Sequence, residues 1–250
     1  MSPKIIDSAT QHAREAQILA AALRYIQQES IATLTVDKLV KELPFSKGTI
    51  YNHFSGKEDI LLALCNSGMT ILADLFLRAE RFDGIPRERG LAIHFAYMLY
   101  ARLYPTQFML VLSAKTSNIT DKASERQKQA NLILESQLFE PVTSVFQDAL
   151  AQNLMDLPVS MTIEQLGFAC WSLSFGTNAL LLEDVERCGK RTGMVVEREL
   201  LNNVALLFDG MRLRPYSHEF DWSTTLHRLK HETFKEEVTQ LEARGVVLAV

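Results

Sequence analysis

Ser46-Lys47-Gly48-Thr49-Ile50-Tyr51-Asn52-His53-Phe54-Ser55-Gly56-Lys57-Glu58 is the stretch on which the fold turns. It combines a small-residue turn, a short helix with one apolar stripe, hydrogen-bonding side chains and two lysines. Ile50 and Phe54 fall at i and i+4 and face inward, with Phe45 closing the turn before them. Thr49, Asn52 and His53 are left outward and Tyr51 at the edge. A short helix with that surface suits the major groove of DNA, where base edges and phosphates are met by such groups.

The flanking sequence supplies a frame for this helix. Ile18, Leu19, Ala22, Leu23 and Ile26 recur at helical spacing and predict a helix over 13–28 with one buried stripe. Thr35 offers a side-chain oxygen to the free amides of the next helix, in which Val36, Leu39, Val40 and Leu43 form an amphipathic pattern. Pro44 cannot continue that helix and ends it. Two short helices joined by Pro44-Phe45-Ser46, with an earlier helix across them, make a helix-turn-helix. Ser55-Gly56-Lys57-Glu58 reads as a capping box in which Glu58 reaches back to the Ser55 amide, opening a long helix over about 57–81.

Everything downstream reads as helix as well, so the expected class is all-α. Helices are predicted over 87–104, ended by Pro105, over 108–115, over 121–152 with a bend at Pro141, over 163–186 behind the capping box Thr162-Ile163-Glu164-Gln165, over 195–211 and over 223–243. His227 and His231 stand at i, i+4, a spacing able to hold a metal, but without a third ligand they read as a solvated face, and no metal is expected. The apolar end Val246-Val247-Leu248-Ala249-Val250 must dock somewhere, and docking across a dimer would cover it.

The bulk composition narrows the function classes. With 250 residues, 47% hydrophobic and 22% charged, the chain can build a real core. Net charge is −4, but residues 1–57 carry +2 and the rest −6, a mildly basic head on an acidic body. Cys65, Cys170 and Cys188 are odd in number and widely spaced, forming neither a disulfide framework nor a zinc pattern. They read as reduced thiols, a redox-sensing Cys188 beside Lys190 and Arg191 being the remote alternative. No apolar stretch is read as long enough to span a membrane, and the first residues lack the apolar core of a secretory signal. A cytoplasmic protein is expected. No nucleophile-elbow, metal-helix or glycine-loop motif is present, so neither catalytic residues nor a cofactor are expected, and an enzyme is the remote reading.

Thr35, Leu39-Val40 and the run from Phe45 to Glu58 resemble the signature of the TetR family of bacterial transcriptional regulators. The resemblance covers residues 13–64. It implies an N-terminal DNA-binding domain over 1–56, a helical effector-binding and dimerisation domain over 57–214, and an additional C-terminal helix and tail over 215–250. It also implies site roles: Thr49, Tyr51 and His53 against the DNA backbone; Lys47, Thr49 and Asn52 near bases; Lys57 on a phosphate. Gly48 permits close approach to the groove, and Thr35 and Ser46 sit at helix starts facing the DNA. The chain departs from the family pattern at Pro44, where glycine is usual. Because proline fixes φ near −65°, the turn must differ in angle or in length.

The resemblance further implies a homodimer on a palindromic double-stranded operator, since one recognition helix reads too few base pairs. The helices over 163–186 and 195–211 are the dimer candidates, the first carrying Gly167, Ala169, Cys170, Ser172, Ser174, Gly176, Thr177 and Ala179. A repressor released by a small, mostly apolar effector is the leading expectation. Its pocket residues would be Phe95, Met98, Leu99, Phe108, Met109, Leu138, Trp171, Phe175 and Asn178, with Tyr97, Phe139, His94 and Gln137 beside them. The alternative keeps the fold but places control with a protein partner or with abundance alone.

Overall fold

The structure is a computed structural model that describes residues 7–114, 116–157, 160–182 and 189–249. Its helices are α1 (Ser8–Gln28), α2 (Val36–Glu42), α3 (Lys47–Tyr51), α4 (Lys57–Glu80), α5 (Pro86–Leu103), α6 (Pro105–Ala114), α7 (Ser117–Thr120), α8 (Glu125–Ala151), α9 (Ile163–Leu181), α10 (Val196–Gly210), α11 (Trp222–Arg228) and α12 (Lys235–Ala243). No strand occurs among the described residues. Cys188, Val250 and the expected end, at Glu186, of the helix predicted over 163–186 lie outside the described residues. The chain forms two compact units, one from Met1–Gly68 with Thr106–Ile133 and one from Met69–Pro105 with Leu134–Val250. These units divide the chain differently from the sequence-order domains expected above, because residues 106–133 return to the first unit.

The first unit follows the sequence pattern closely. Asp7 caps α1 by accepting from the Thr10 amide at 2.7 Å, so the helix starts five residues earlier than periodicity alone indicated. Its buried face is Ile18, Ala21, Ala22 and Tyr25, one step round from the predicted stripe, with Leu19, Leu23 and Ile26 at the margin. Leu34, Leu39, Ile50 and Phe54 are buried as well, in the core of the head. The Lys38 ammonium donates to the Tyr25 hydroxyl at 2.6 Å, and that hydroxyl lies 3.2 Å from Thr33 Oγ1. This interaction with Lys38, more than that with Thr33, lowers the phenol's pKa.

Two expectations about α4 are corrected. The Ser55 amide donates to Asp59 Oδ2 at 2.9 Å, so the first-turn carboxylate that reaches back is Asp59 and not Glu58. Glu58 faces Lys122 instead, at 3.8 Å. The helix is also long and apolar enough to cross a bilayer by composition, with a mean hydropathy of 1.9 over 18 residues, contrary to the sequence reading. Two thirds of that window is buried in the protein, which accounts for its apolarity as core packing.

In the second unit, α5 is buried along its whole length except at Glu88, Arg89 and Arg102. It therefore shows little periodicity, as a helix surrounded on all sides should. Tyr104 alone separates it from α6, whose first residue is Pro105; the proline ends one helix by opening the next. Arg87 is fully buried and donates to the Leu213 carbonyl, to Asp209 Oδ1 at 2.6 Å and to Ser217 Oγ at 2.8 Å, between the rings of Phe208 and Trp222. Its burial lowers the guanidinium pKa and Asp209 opposes that shift. The predicted single helix over 223–243 is interrupted: a π-helical turn at Leu229–Thr233 leads to Phe234, whose ring is wholly buried against Phe95. The apolar tail docks on its own chain, with Leu248 buried and Val247 left exposed. His227 and His231 sit on an exposed face with ring centroids 4.5 Å apart.

Candidate functional site

The recognition element is built by two caps and an extended turn. Thr35 Oγ1 accepts from the Lys38 amide at 3.3 Å, starting α2. Leu43 is extended (φ −117°, ψ 148°), the conformation that a following proline imposes, and no residue from 43 to 46 has a positive φ. Pro44 thus stands where glycine is usual in a bend over 43–45 that needs no positive φ. Ser46 then caps α3, accepting from the Thr49 amide at 3.2 Å, while its hydroxyl lies 2.9 Å from that of Thr49. Ile50 is fully buried, which fixes the face that α3 turns outward.

That outward face carries most of the predicted contacts together. Ser46, Lys47, Gly48, Tyr51 and Asn52 are exposed, and Thr49 is half-buried. Tyr51 is 47% exposed, a large aromatic left in solvent beside a buried Ile50 and Phe54. No side chain lies near Gly48 except Ser46 Oγ, 3.8 Å from where a Cβ would stand, so its face of the helix is open. Lys47 pairs with Asp37 of α2 at 2.7 Å, an exposed bridge whose hydrogen bond raises the lysine pKa. Thr35 is exposed at the start of α2.

Two predicted contacts are placed differently. His53 is not outward: its imidazole is almost fully enclosed, with Nδ1 3.4 Å from Glu15 Oε1 of α1. Lys57 folds back to donate to the Ala32 carbonyl at 3.2 Å, tying the start of α4 to the loop before α2. Sequence reasoning missed Glu15, Asp59 and Arg126, which hold this end of α3. Glu15 and Arg126 meet partners far away in the chain, so no local pattern marked them, and Asp59 stood beside Glu58 as an equally close choice.

A groove of about 850 Å³ opens in the second unit between α4 and the latter half of α8. Leu77 and Phe139 form apolar patches in its wall, beside hydroxyls such as Thr143 and the carboxylates Asp74, Glu80 and Glu140. Its lining contains no Lys, Arg or His. Of the residues expected near a pocket, Gln137 and Phe139 line this groove. None of Phe95, Met98, Leu99, Phe108, Met109, Leu138, Trp171, Phe175 and Asn178 does. Phe95, Met98, Leu99 and Phe108 are core residues, and Met109 is 45% exposed. Tyr97 accepts from the Trp171 indole at 3.2 Å, and Asn178 is buried with its amide donating to the Ser174 carbonyl at 2.9 Å.

The family description "bacterial regulatory proteins, tetR family" matches residues 18–64, from the first buried position of α1 into α4. Residues 18–64 are thus similar to the DNA-binding head of that family. Among curated relatives of known role, the HTH-type transcriptional regulator AcrR of Shigella flexneri is 27% identical over 122 residues, 48% of this chain and 57% of that protein. The match therefore spans little more than half the length of that relative. Among solved structures, a TetR-family regulatory protein from Rhodococcus RHA1 superposes with a TM-score of 0.61 at 16% identity, over 79% of this chain and 96% of its own. FadR of Bacillus subtilis, solved in complex with stearoyl-CoA, gives 0.60 at 14% identity, over 78% of this chain and 98% of its own. At these identities the structures speak for the TetR-family fold, a helix-turn-helix followed by a helical body.

Proposed function

We propose that the protein is a sequence-specific DNA-binding transcriptional regulator that acts as a homodimer on a palindromic operator. The carrying observation is the face of α3: Lys47, Gly48, Thr49, Tyr51 and Asn52 are presented to solvent from a helix whose other face is locked into the core by Ile50. Thr49 and Tyr51 suit backbone phosphates, Asn52 and Lys47 suit base edges, and Thr35, Ser46 and Lys57 flank them. Lys47 and Lys57 would exchange their present oxygen partners for phosphate or base acceptors on binding. His53 serves through its fixed position rather than as an outward contact.

The dimer reading rests on α9 and α10. Phe168, Leu180 and Leu206 are 58%, 59% and 73% exposed, and a Cβ at Gly176 would meet nothing within 4 Å. An apolar face of this kind, broken by small residues, suits the twofold packing that would give each operator half its own α3. The proposed division of labour assigns DNA binding to 1–56, effector binding and dimerisation to 57–214, and a supporting role to 215–250.

Repression relieved by a small ligand completes the reading, with the α4–α8 groove as the ligand site. FadR of B. subtilis binds stearoyl-CoA, but among the described residues the lining of this groove holds no cation to meet coenzyme A phosphates and carries three carboxylates, of which Asp74 is paired with Arg78 at 3.2 Å. An uncharged or cationic amphiphile fits that lining better than an acyl-CoA. Selection of bound duplexes from a random pool tests the DNA reading. The wild type should enrich one sequence, Asn52→Ala should relax its base preference, and Tyr51→Ala should lose most affinity. Enrichment that is unaffected by both substitutions would place the interface elsewhere.

A further inference from the structure

We propose that Arg126, with Glu15 as its counter-ion, is a positioning residue for the recognition helix: it sets the orientation of α3 on DNA without itself touching a phosphate. The inference rests on the DNA-binding role proposed above. Only five residues long, α3 cannot hold its direction through its own hydrogen bonds, so its pose is set by what grips its ends. Ser46 grips the first end. At the other end the free carbonyl of His53 accepts from Arg126 Nη2 at 3.1 Å.

The same guanidinium donates through Nη1 to Glu15 Oε1 at 2.9 Å and lies 5.9 Å from the centroid of the Phe54 ring. Glu15 Oε1 is also the atom that faces His53 Nδ1. One carboxylate of α1 and one guanidinium of α8 therefore enclose the residue that follows the reading face. Two residues on, Ser55 is held by the same segment. The Ser55 amide donates to Asp59, whose other oxygen accepts from the Ser124 amide at 2.9 Å and the Ser124 hydroxyl at 2.7 Å.

A third set of bonds continues along α8. Asn66 donates to the Gln127 carbonyl and to its side-chain oxygen, both at 3.0 Å, and accepts from Asn131 at 2.8 Å. Residues 124–131 thus bind the end of α3 and the first turns of α4 as one hydrogen-bonded body. Arg126 is the member that reaches the backbone of the recognition segment directly. It stands on the helix whose later residues line the groove.

Glu15→Gln and Arg126→Ala, compared with wild type on the selected duplex over a range of salt, test this. Removing a carboxylate from a DNA-binding head tightens binding if electrostatics alone matters. A positioning role predicts the opposite sign. Glu15→Gln should weaken binding several-fold, and Arg126→Ala about tenfold through loss of two charge-assisted bonds. The slope of log affinity against log salt should stay at its wild-type value in both. Tighter or unchanged binding by Glu15→Gln overturns the inference. So does a slope reduced by about one in Arg126→Ala, which would make Arg126 a phosphate contact. Should Arg126→Ala fail to fold, the near-isosteric Glu15→Gln still decides by the sign of its effect. Wild type that enriches no duplex refutes the DNA-binding reading itself, a result distinct from either variant's behaviour.

Discussion

His94 should make the stability of the second unit depend on pH in a calculable way. It lies in the middle of α5, fully enclosed, with Nδ1 hydrogen-bonded to Ser174 Oγ of α9 and its ring edge-on to that of Phe208 of α10, the centroids 5.5 Å apart. Burial pushes its pKa down to about 4 from an ordinary value of 6.5. The folded pKa lies below the unfolded one, so as pH falls below about 6.5 the unfolded chain takes up a proton that the folded protein refuses. The contribution is complete above pH 6.5 and is lost progressively toward pH 4. Over the whole window it amounts to about 3 kcal/mol, at 1.36 kcal/mol per pK unit. Between pH 7.5 and pH 5 it amounts to about 2 kcal/mol, or about 4–8 °C in Tm for a chain of this size. Carboxylates that titrate nearby act equally on a reference lacking the imidazole. The assay is therefore thermal or denaturant unfolding of wild type against His94→Gln at both pH values. The stability gap between them should narrow by about 2 kcal/mol at pH 5. A constant gap would refute a buried neutral His94, and a widening one would mean that it is charged and paired in the folded protein.

A Cβ at Gly90 would stand 2.8 Å from Phe208 Cζ, on a ring already held by Arg87 and His94. Gly90→Ala should therefore destabilise by about 1–2 kcal/mol despite its better helix propensity, and a gain in denaturation midpoint would show that the ring can yield. Leu206→Asp should leave the unfolding free energy of the protomer within about 0.5 kcal/mol and shift the sedimenting species from dimer to monomer. An unchanged dimer would remove α10 from the interface. Cys170 is buried, and burial pushes its thiol up to about 12. At pH 8 it should resist alkylation until denaturant is added, as read by mass spectrometry of the labelled peptide, and rapid native labelling would show an open path to it.

The head was legible because its signals are local. Thr35 and Ser46 cap, Pro44 stops a helix, and Ile50 and Phe54 set a buried stripe within a few residues of the chain. Where a second choice stood equally close, the pattern could not decide: Glu58 and Asp59 both lie in the first turn of α4, and only the position of Ser124 selects Asp59. His53 illustrates the same limit, since its inward turn depends on Glu15 and Arg126, which belong to other helices. In the body, α5 was visible as a helix but its surroundings were not. A helix buried on every side offers aromatic and sulfur-bearing residues that read equally well as pocket or core, and Phe95, Met98 and Leu99 are core. The π turn at Leu229–Thr233 leaves no mark in the sequence because it serves to seat Phe234 against Phe95, a contact set by tertiary packing.

The central claim is that two copies of α3 read adjacent turns of one duplex. Hydroxyl-radical footprinting of the purified wild-type protein on its selected duplex tests it most directly. Two equivalent protected patches related by a twofold axis, centred one helical turn of about 34 Å or a whole multiple of it apart, are predicted. A single asymmetric patch, or protection unchanged in Tyr51→Ala, would contradict it.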